Sequence, residues 1–280
     1  MKFENAEVFN FEGAIRGARN PLESWSKSDS EYVVVDGELK YEIGEKDMKL
    51  LQNLIGAAVH DKSNSHSKFL RQILVSVDIK APMYWWSEAD TYKVGTTANS
   101  TSKMHKLAST PITMECFELD DYSGMHNPSF IKPFLTSLEE LRQLYNSSGD
   151  KKYWKELIRW LPEGWLQTRT VTLNYQVLRQ MYFDRRNHKL SEWHQFCDWV
   201  KTLPYAEELI TYEPTSNGVY TVSYLVKDKK EPIITTFDNE AAASKMFEYM
   251  VSRGTKDIWL DQIPLYKSHY YYSTEEGKMK

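Results

Sequence analysis

The sequence has few cysteines, no long apolar run and no excess of basic residues. Only Cys116 and Cys197 occur among 280 residues, so neither a disulfide framework nor a cysteine-based zinc site is expected, and a reducing, cytoplasmic setting is the default. No run is long enough to cross a bilayer, and the first residues lack the apolar core of a signal peptide. The net charge of −4 and the pI near 6.0 argue against a general nucleic-acid binder. These absences favour a soluble intracellular protein.

Motifs of several common enzyme classes are also absent. The sequence contains no GxxxxGKS or GxxxxGKT phosphate loop and no HExxH, GxGxxG, GxSxG or CxxC motif. The histidines are scattered, and His188 and His194 are spaced wrongly for one helical face. A metal site is therefore not expected. Cys197, among aromatic residues in a predicted helix, is more typical of a small buried hydrophobe than of a nucleophile.

The sequence is rich in aromatic residues, which make up 14% of the chain and include 18 Tyr and 9 Trp. Flat apolar surface for stacking or subunit contact is therefore plentiful. A chain of this length buries roughly 75% of its unfolded surface, enough for a large core. Thr215-Ser216-Asn217-Gly218 is typical of a boundary, and the runs after it predict the order β-β-α-β. We predict a main domain over residues 1–214 and a small α+β module over residues 215–280.

Hydrophobic periodicity and turn residues predict the elements of the main domain. In chain order they are a hairpin over residues 32–43, a helix over 45–60, a core strand over 69–80, a helix-compatible run over 83–94, a polar loop over 95–106, an irregular stretch over 109–135, a helix from Ser137 and another over 153–161.

The stretch from Leu161 to Trp199 has the highest density of charged and aromatic residues that could form a binding site. A Leu-Pro-x-Gly turn opens it, a segment rich in Thr, Val and Leu follows, and a helical run then leads into Asp184-Arg185-Arg186-Asn187-His188-Lys189. A second aromatic stripe comes after this cluster. A cationic cluster between two apolar helical stripes can hold an anion against a hydrophobic wall. We therefore predict an anion site at Arg185 and Arg186.

Two other stretches are candidates for anion binding. The loop over residues 95–106 combines hydroxyls and backbone N–H groups with flanking lysines, which can bind phosphate. Its composition alone favours an ordinary surface loop. Arg16 and Arg19 could share a helical face and bind an anion, and two solvated arginines are an equally good interpretation. His66 is more typical of a loop or core histidine than of a catalytic base.

Four segments across residues 45–203 follow one another in the order of a known family. They are a polar loop that ends in Ser65-His66, a strand that ends in Ala81-Pro82, the pair Asn99 and Ser102, and a run from Leu161-Pro162 through Asn174 to Arg185 and Arg186. In this order the chain resembles the flavin-dependent thymidylate synthases, the ThyX-type enzymes. The resemblance covers more than half of the chain.

The signature of that family, Arg-His-Arg followed after seven residues by Ser, is degenerate here. Counting back from Ser102 places Tyr92-Lys93-Val94 at the Arg-His-Arg positions, and counting from Pro82 places Thr91-Tyr92-Lys93 there. Lys93 is then the one cation that is kept, and the family's Asn-x-Arg becomes Asn174-Tyr175-Gln176. A lysine cannot reproduce the bidentate phosphate recognition of an arginine. The resemblance therefore supports the fold better than the activity.

The resemblance implies an α/β (α+β) fold with a central mixed or antiparallel sheet flanked by helices. It implies a homotetramer with FAD between subunits, which methylates dUMP reductively to dTMP with NADPH and methylenetetrahydrofolate as co-substrates. It also implies that Arg185 and Arg186 are catalytic residues that hold the nucleotide and polarise the pyrimidine, with Ser102 and Lys103 as further substrate-binding residues. The cofactor-binding residues that it implies are His66, Lys93, Thr96, Thr97, Asn99, Asn174 and Gln176.

Three interpretations stay open, because a fold does not fix a function. The first is a divergent flavin-dependent enzyme that makes thymidylate or a modified pyrimidine nucleotide. The second is a ThyX-like nucleotide-binding protein without flavin chemistry, which the substituted Arg-His-Arg motif supports. The third is a structural or interaction protein that docks through residues 215–280. The anion-site hypothesis requires Arg185, Arg186 and the loop near Asn99 to converge around a nucleotide phosphate.

Overall fold

The structure is a computed structural model of the chain. It describes residues 1–119, 128–214, 219–225, 232–237, 240–255, 257–263 and 268–272. The chain divides into two compact units, Met1–Tyr212 and Glu213–Lys280. The predicted boundary at residues 215–218 lies outside the described residues.

The first unit contains two antiparallel sheets and eight described α-helices. Its strands are β1 (Lys2–Phe9), β2 (Glu31–Val35), β3 (Glu38–Glu42), β4 (Leu74–Pro82), β5 (Thr97–Ser100) and β6 (Leu166–Asn174). Its helices are α1 (Phe11–Arg19), α2 (Glu45–His60), α3 (Met83–Ala89), α4 (Lys103–Lys106), α5 (Pro128–Ser148), α6 (Lys151–Trp160), α7 (Tyr175–Arg185) and α8 (Ser191–Lys201). The prediction of antiparallel sheet flanked by helices is confirmed.

Several predicted bounds were wrong. The strand predicted over residues 69–80 begins only at Leu74, because Lys68–Arg71 forms a 3-10 turn. The stretch predicted as irregular contains the start of α5, since Pro128 lies in a first helical turn, where its missing N–H costs nothing. The loop predicted over residues 95–106 contains β5 and α4. The hairpin of β2 and β3 and the helix α2 are confirmed.

The main sheet has the strand order β1-β4-β6-β5, and all its pairs are antiparallel. Val75, Val77 and Ile79 of β4 are buried, as are Val171 and Leu173 of β6. Since successive side chains of a strand point to opposite faces, these residues form one apolar face. The helices α3, α7 and α8 cover it with large side chains, among them Trp85, Leu178, Trp193 and Phe196.

The other face of the main sheet is polar and open. Thr170 Oγ1 donates to Asp78 Oδ1 at 2.5 Å, and Asn5 Nδ2 donates to Asp78 Oδ2 at 2.8 Å. These hydrogen bonds lower the pKa of the Asp78 carboxyl, chiefly through Thr170. An antiparallel sheet with one packed and one solvated face gives the alternation seen in β4 and β6.

A buried ion pair joins α1 to α2. Arg19 Nε donates to Asp47 Oδ1 at 2.6 Å, and the two side chains are 6% and 0% exposed. The other Arg19 nitrogens donate to the carbonyls of Ser24 and Lys27. Arg19 is therefore a structural residue. It is neither half of an anion site with Arg16 nor a solvated arginine, so both interpretations of this pair were wrong for Arg19.

The helices α5 and α6 pack on a second, smaller core that contains Leu107, Leu138 and Leu157. At its edge the Glu139 carboxylate accepts hydrogen bonds from Arg142 Nη2 at 2.6 Å and from Arg142 Nε at 2.7 Å. The Ile112 backbone N–H also donates to Glu139, at 2.8 Å. Glu139 thus ties the segment before α5 to the helix.

This carboxylate makes stability depend on pH. Hydrogen bonding to Arg142 lowers the pKa of Glu139 from 4.5 to about 2. A lowered folded-state pKa contributes stability that is present above pH 4.5 and is lost as the pH falls toward 2. We expect the melting temperature of Glu139→Gln to lie below that of the wild type at neutral pH and to converge on it in acid. Thermal melts from pH 7 to pH 2 check this, and a difference that stays constant with pH would contradict it.

The second unit has one four-stranded antiparallel sheet in the order β10-β9-β7-β8. Its elements are β7 (Val219–Tyr224), β8 (Ile233–Phe237), α9 (Glu240–Ser252), β9 (Ile258–Ile263) and β10 (Ser268–Tyr272). Val222, Ala243, Phe247 and Ile258 form its core. The predicted order β-β-α-β is confirmed, and β10 adds a strand where only a polar tail was expected.

Candidate functional site

Helix α7 begins at a capped end that fixes the neighbouring loop. Asn174 Oδ1 accepts from the Val177 backbone N–H at 3.0 Å, a helix N-cap. Gly95 adopts φ +78° beside it, and a Cβ added there would lie 2.6 Å from Asn174 Nδ2. Both the left-handed backbone and the close approach therefore require glycine at this position. The cap holds the segment that leads into β5 against the start of α7.

Further polar residues gather at this end of α7. Ser67 Oγ donates to Gln176 Oε1 at 2.9 Å. His66 Nε2 lies 3.0 Å from Asp61 Oδ2 on the surface of the same loop. Asn174 and Gln176, at the start of α7, thus lie near the loop of His66, and their role in cofactor binding stays a prediction. They are structural contacts in this chain as well.

A different cluster forms at the other end of α7, around the carboxylate of Glu88. Glu88 Oε2 accepts from Arg185 Nη1 at 2.9 Å and from Trp193 Nε1 at 2.9 Å, and His188 Nε2 lies 3.4 Å away. Glu88 lies near the end of α3, so the cluster joins α3, α7 and α8. We call Glu88, Tyr92, Arg185, His188 and Trp193 the Glu88 cluster.

Arg185 is oriented from three sides. Its Nε donates to Tyr92 Oη at 2.9 Å, and its guanidinium carbon lies 4.8 Å from the centre of the Trp193 ring. Its side chain remains 21% exposed. Among the residues that the structure describes, none accepts a hydrogen bond from Nη2. A guanidinium that is held by an aromatic ring and a carboxylate, with one nitrogen left over, is suited to donate to a ligand.

Tyr92 links this cluster to Asp184, since Tyr92 Oη donates to Asp184 Oδ2 at 3.2 Å. Partial burial raises the pKa of the Tyr92 phenol. The hydrogen bond from Arg185 lowers this pKa and the Asp184 charge raises it, and the net shift is upward. The phenol therefore stays protonated at neutral pH. Arg186 lies apart from these groups, with its guanidinium carbon 4.8 Å from the ring centre of Phe183. The two guanidinium groups therefore lie over different aromatic rings, and their joint binding of one anion stays a prediction.

A small cavity lies beneath Tyr92, between the apolar face of the sheet and α3. Its lining includes Trp85, Thr96 and Met181, and its volume is about 40 Å³. Ligand pockets usually measure at least about 300 Å³, so neither a nucleotide nor a flavin fits inside. Trp85 Nε1 and Thr96 Oγ1 are both buried and without a hydrogen-bond partner within the described part of the chain. Thr96 therefore lines this cavity with a buried hydroxyl, and its role in cofactor binding stays a prediction.

The residues of β5 are divided between the two faces of the main sheet. Ala98 pairs with the buried Val171 and lines the cavity, whereas Asn99 pairs with the exposed Thr170. Because side chains alternate along a strand, Thr97 and Asn99 point to the polar face of the sheet. Arg185 packs on the helices of the opposite face. The predicted convergence of Arg185 with the hydroxyl-rich loop is therefore not found within one chain.

The remaining predicted residues lie near β5. Ser102 Oγ accepts from the His105 backbone N–H at 3.3 Å and so caps the short helix α4, which also carries Lys103. Lys93 is exposed in the turn before β5. Neither lysine is in the Glu88 cluster.

The sequence reasoning missed Glu88, Tyr92 and Trp193 as partners of Arg185. One available signal was the spacing of Glu88 and Tyr92, four residues apart at a helix end, where both can face α7. Trp193 was recognised only as part of an aromatic stripe. Its indole N–H makes it a polar partner as well.

The structure also bears on a cysteine nucleophile, a metal site and a membrane-spanning helix. Burial raises the pKa of the Cys197 thiol to about 11, which does not suit a nucleophile at neutral pH. The described residues contain no group of three or more His, Cys, Asp or Glu that could hold a metal ion. Of the helices that the structure describes, none has the length and apolar character to cross a membrane.

Comparison with known proteins gives a clear likeness in structure. No family model matches the sequence, and no curated protein matches it. A crystal structure of the flavin-dependent thymidylate synthase ThyX from Helicobacter pylori complexed with FAD and dUMP matches 75% of this chain and 97% of its own, with 18% identity and a TM-score of 0.55. A second Helicobacter pylori ThyX structure with FAD and dUMP matches over the same shares, at 18% identity and a TM-score of 0.56. This chain therefore has a ThyX-like fold.

Proposed function

We propose that this protein is a divergent ThyX-like protein that binds dUMP or a related pyrimidine nucleotide. The observation that carries the proposal is Arg185, whose Nη2 is left to donate after Glu88, Tyr92 and Trp193 have fixed the guanidinium. Two matching Helicobacter pylori structures contain dUMP, which supports a pyrimidine nucleotide as the ligand class. Arg186, at the end of the same helix, is the second candidate contact.

The catalytic form of this proposal is reductive methylation of the nucleotide with FAD, NADPH and methylenetetrahydrofolate. The matching structures contain FAD, which supports it. The residues of this chain fit FAD poorly. Lys93 is the one cation at the Arg-His-Arg positions, and the Tyr92 hydroxyl is already bonded to Arg185 and Asp184.

The alternative is a ThyX-like protein that binds a nucleotide, or a protein partner, without flavin chemistry. The specific observation in its favour is the pairing of Arg185 with Glu88. This carboxylate offsets the charge of the arginine, which weakens its attraction for a dianionic phosphate. A hydrogen bond from Arg185 can still recognise a nucleotide, but a neutralised arginine stabilises little of the charge that develops in a reaction.

A complete site would require a second copy of the chain. Thr97 and Asn99 lie on the polar face of the main sheet, and Arg185 lies on the side of the opposite face. A ligand that touches all three residues therefore has to bridge two copies of the chain. We propose a homo-oligomer, a tetramer by family resemblance, in a cytoplasmic setting. Light scattering on the purified protein tests this, and a monomer that still binds nucleotide would remove the shared-site part of the proposal.

Two measurements separate the forms of the proposal. Purified protein with a flavin absorption spectrum supports the catalytic form, and colourless protein supports the alternative. A melting temperature that rises with dUMP but not with deoxyuridine supports nucleotide binding, because a ligand of the native state alone stabilises it. Deoxyuridine is the matched control, since it lacks only the phosphate. No response to dUMP, dTMP or dCMP would refute nucleotide binding.

Arg185→Ala is expected to weaken dUMP binding by about 1.5–3 kcal/mol, the usual loss for a hydrogen bond to a charged group. Arg186→Ala is expected to have a smaller effect, because Arg186 lies outside the Glu88 cluster. Arg159→Ala is the control, since Arg159 is an exposed helix arginine paired with Glu156. Calorimetric titration measures all three. Unchanged affinity in both Arg185→Ala and Arg186→Ala would remove these residues from the site.

A further inference from the structure

A second pocket lies far from α7 in sequence, between α1 and the hairpin of β2 and β3. Its volume is about 290 Å³, close to the lower limit of typical ligand pockets. Ile15 lines it from α1. Its aromatic walls are Trp25, Tyr32 and Tyr41, and we call it the Trp25 pocket.

The aromatic walls are held in place, and their rings remain accessible. Tyr32 and Tyr41 are opposite each other in the hairpin, with ring centres 4.9 Å apart and planes at 67°. Trp25 Nε1 donates to Asn20 Oδ1 at 2.9 Å, which orients the indole. Trp25 is 49% exposed and Tyr32 is 53% exposed. These rings line one pocket, and about half of the surface of Trp25 and of Tyr32 remains accessible to a ligand.

The charges around the Trp25 pocket favour a cation over an anion. Arg19 is neutralised by Asp47, and Arg16 lies 3.5 Å from Glu12. Glu31 also lines the pocket, and it has no ion-pair partner among the described residues. The pocket therefore has a net charge of about −1, which attracts a cationic ligand.

The hydrogen bonding points the same way. Tyr32 Oη donates to Glu12 Oε2 at 3.1 Å, which leaves the carboxylate at the edge of an aromatic wall. No arginine or lysine of the described chain stacks on Trp25, Tyr32 or Tyr41. The rings are therefore not already occupied by a cation of the chain itself.

We propose that the Trp25 pocket binds a small alkylated ammonium ion, either free or as a methylated lysine side chain. Aromatic faces attract ammonium groups through the ring quadrupole, and the attraction is largest when the cation sheds its water. Alkyl substituents weaken the hydration of the cation and contact the rings and Ile15. The carboxylates of Glu12 and Glu31 supply the compensating charge. This site is independent of the proposed nucleotide site.

Ligand-observed NMR titration of the full chain tests the proposal. We expect saturable binding of tetramethylammonium and choline, and much weaker binding of 3,3-dimethylbutan-1-ol, which has the shape of choline without the charge. A short peptide with trimethyllysine, compared with its unmethylated form, separates the two sources. Tighter binding of the peptide than of choline indicates a protein ligand, and the reverse indicates a free metabolite.

Variants locate the binding. Trp25→Ala and Tyr32→Ala are each expected to weaken choline binding about 3- to 30-fold, whereas Tyr32→Phe keeps the ring and most of the affinity. Trp160→Ala is the control, since Trp160 is a 56% exposed tryptophan elsewhere in the first unit. Because the substituted rings are half-exposed, folding should survive, and circular dichroism checks it. Equal binding of choline and its neutral analogue, equal binding in wild type and Trp25→Ala, or no saturable binding of any alkylated ammonium would overturn the proposal.

Discussion

Asp47→Ala is expected to lower the free energy of unfolding of the first unit by about 3–5 kcal/mol, because it leaves the buried Arg19 charge without its partner. Asp47 is fully buried, and its Oδ2 accepts from Ser28 Oγ at 2.6 Å and from Ser30 Oγ at 2.7 Å. The backbone N–H groups of Asp29 and Ser30 donate to the same oxygen, each at 3.1 Å. One carboxylate therefore fixes residues 28–30, which lead into β2, against Arg19 of α1. Urea denaturation measures the loss.

Two controls separate the buried charge from general damage. Glu12→Ala removes the partner of the exposed Arg16, and we expect a change below about 1 kcal/mol. The double variant Arg19→Met with Asp47→Leu removes both charges, and it should recover much of the loss, since replacing a buried pair by apolar residues is often neutral or better. A double variant as unstable as Asp47→Ala would show that the hydrogen bonds to Ser28 and Ser30 matter more than the unpaired charge.

Acid should weaken the same segment. Burial by itself raises the pKa of the Asp47 carboxyl, but hydrogen bonds from Ser28, Ser30 and Arg19 outweigh it, so the folded-state pKa is lowered. The stability that Asp47 contributes is therefore present above its ordinary pKa of 3.8 and is lost as the pH falls below that value. This adds to the acid sensitivity that Glu139 confers.

The sequence predicted the elements whose pattern is local. The Asp-Gly turn identified the hairpin of β2 and β3, and helical spacing identified α2. The sequence did not predict the elements whose conformation depends on contacts with distant parts of the chain. The strand β5 has four exposed residues, of which three are polar, and it exists because its backbone pairs with β6, which no composition reveals. The strand β1 was missed, and only its pairing with β4 explains why this half-polar segment is extended.

In the candidate site, too, the sequence predicted the local features but not the contacts between distant residues. The sequence singled out Arg185, but its pairing with Glu88 depends on α3 and α7 meeting in space, 97 residues apart in the chain. Because side chains alternate along β5, Asn99 lies on the polar face of the sheet, away from Arg185. The prediction of a loop at this position contained no such alternation. For the same reason, the aromatic pocket at Trp25 brings together residues whose sequence context indicated only a polar stretch and a hairpin.

Trp193→Ala is expected to cost about 3–5 kcal/mol of unfolding free energy and to abolish the orientation of Arg185. Trp193 is 0% exposed and contacts Trp85 and Phe196, with ring centres 4.9 Å and 5.5 Å away. Its removal leaves a large cavity between α8 and the apolar face of the sheet. Its indole N–H is also lost as a donor to Glu88. Denaturation followed by fluorescence measures the stability, with the exposed Trp160→Ala as the control, expected within about 0.5 kcal/mol of wild type.

Trp193→Phe separates the two roles of this residue. The smaller ring keeps most of the packing against Trp85, so the protein should stay folded, but Glu88 loses a donor and the Arg185 guanidinium loses part of its stacking surface. If Arg185 binds the nucleotide through the orientation that the Glu88 cluster imposes, dUMP affinity falls in Trp193→Phe although the native state persists. If affinity is unchanged in Trp193→Phe while Arg185→Ala still weakens binding, the guanidinium acts without that orientation. A folded Trp193→Phe that no longer binds would show that the indole orients Arg185 in addition to packing in the core, because the smaller ring would then support folding but not binding.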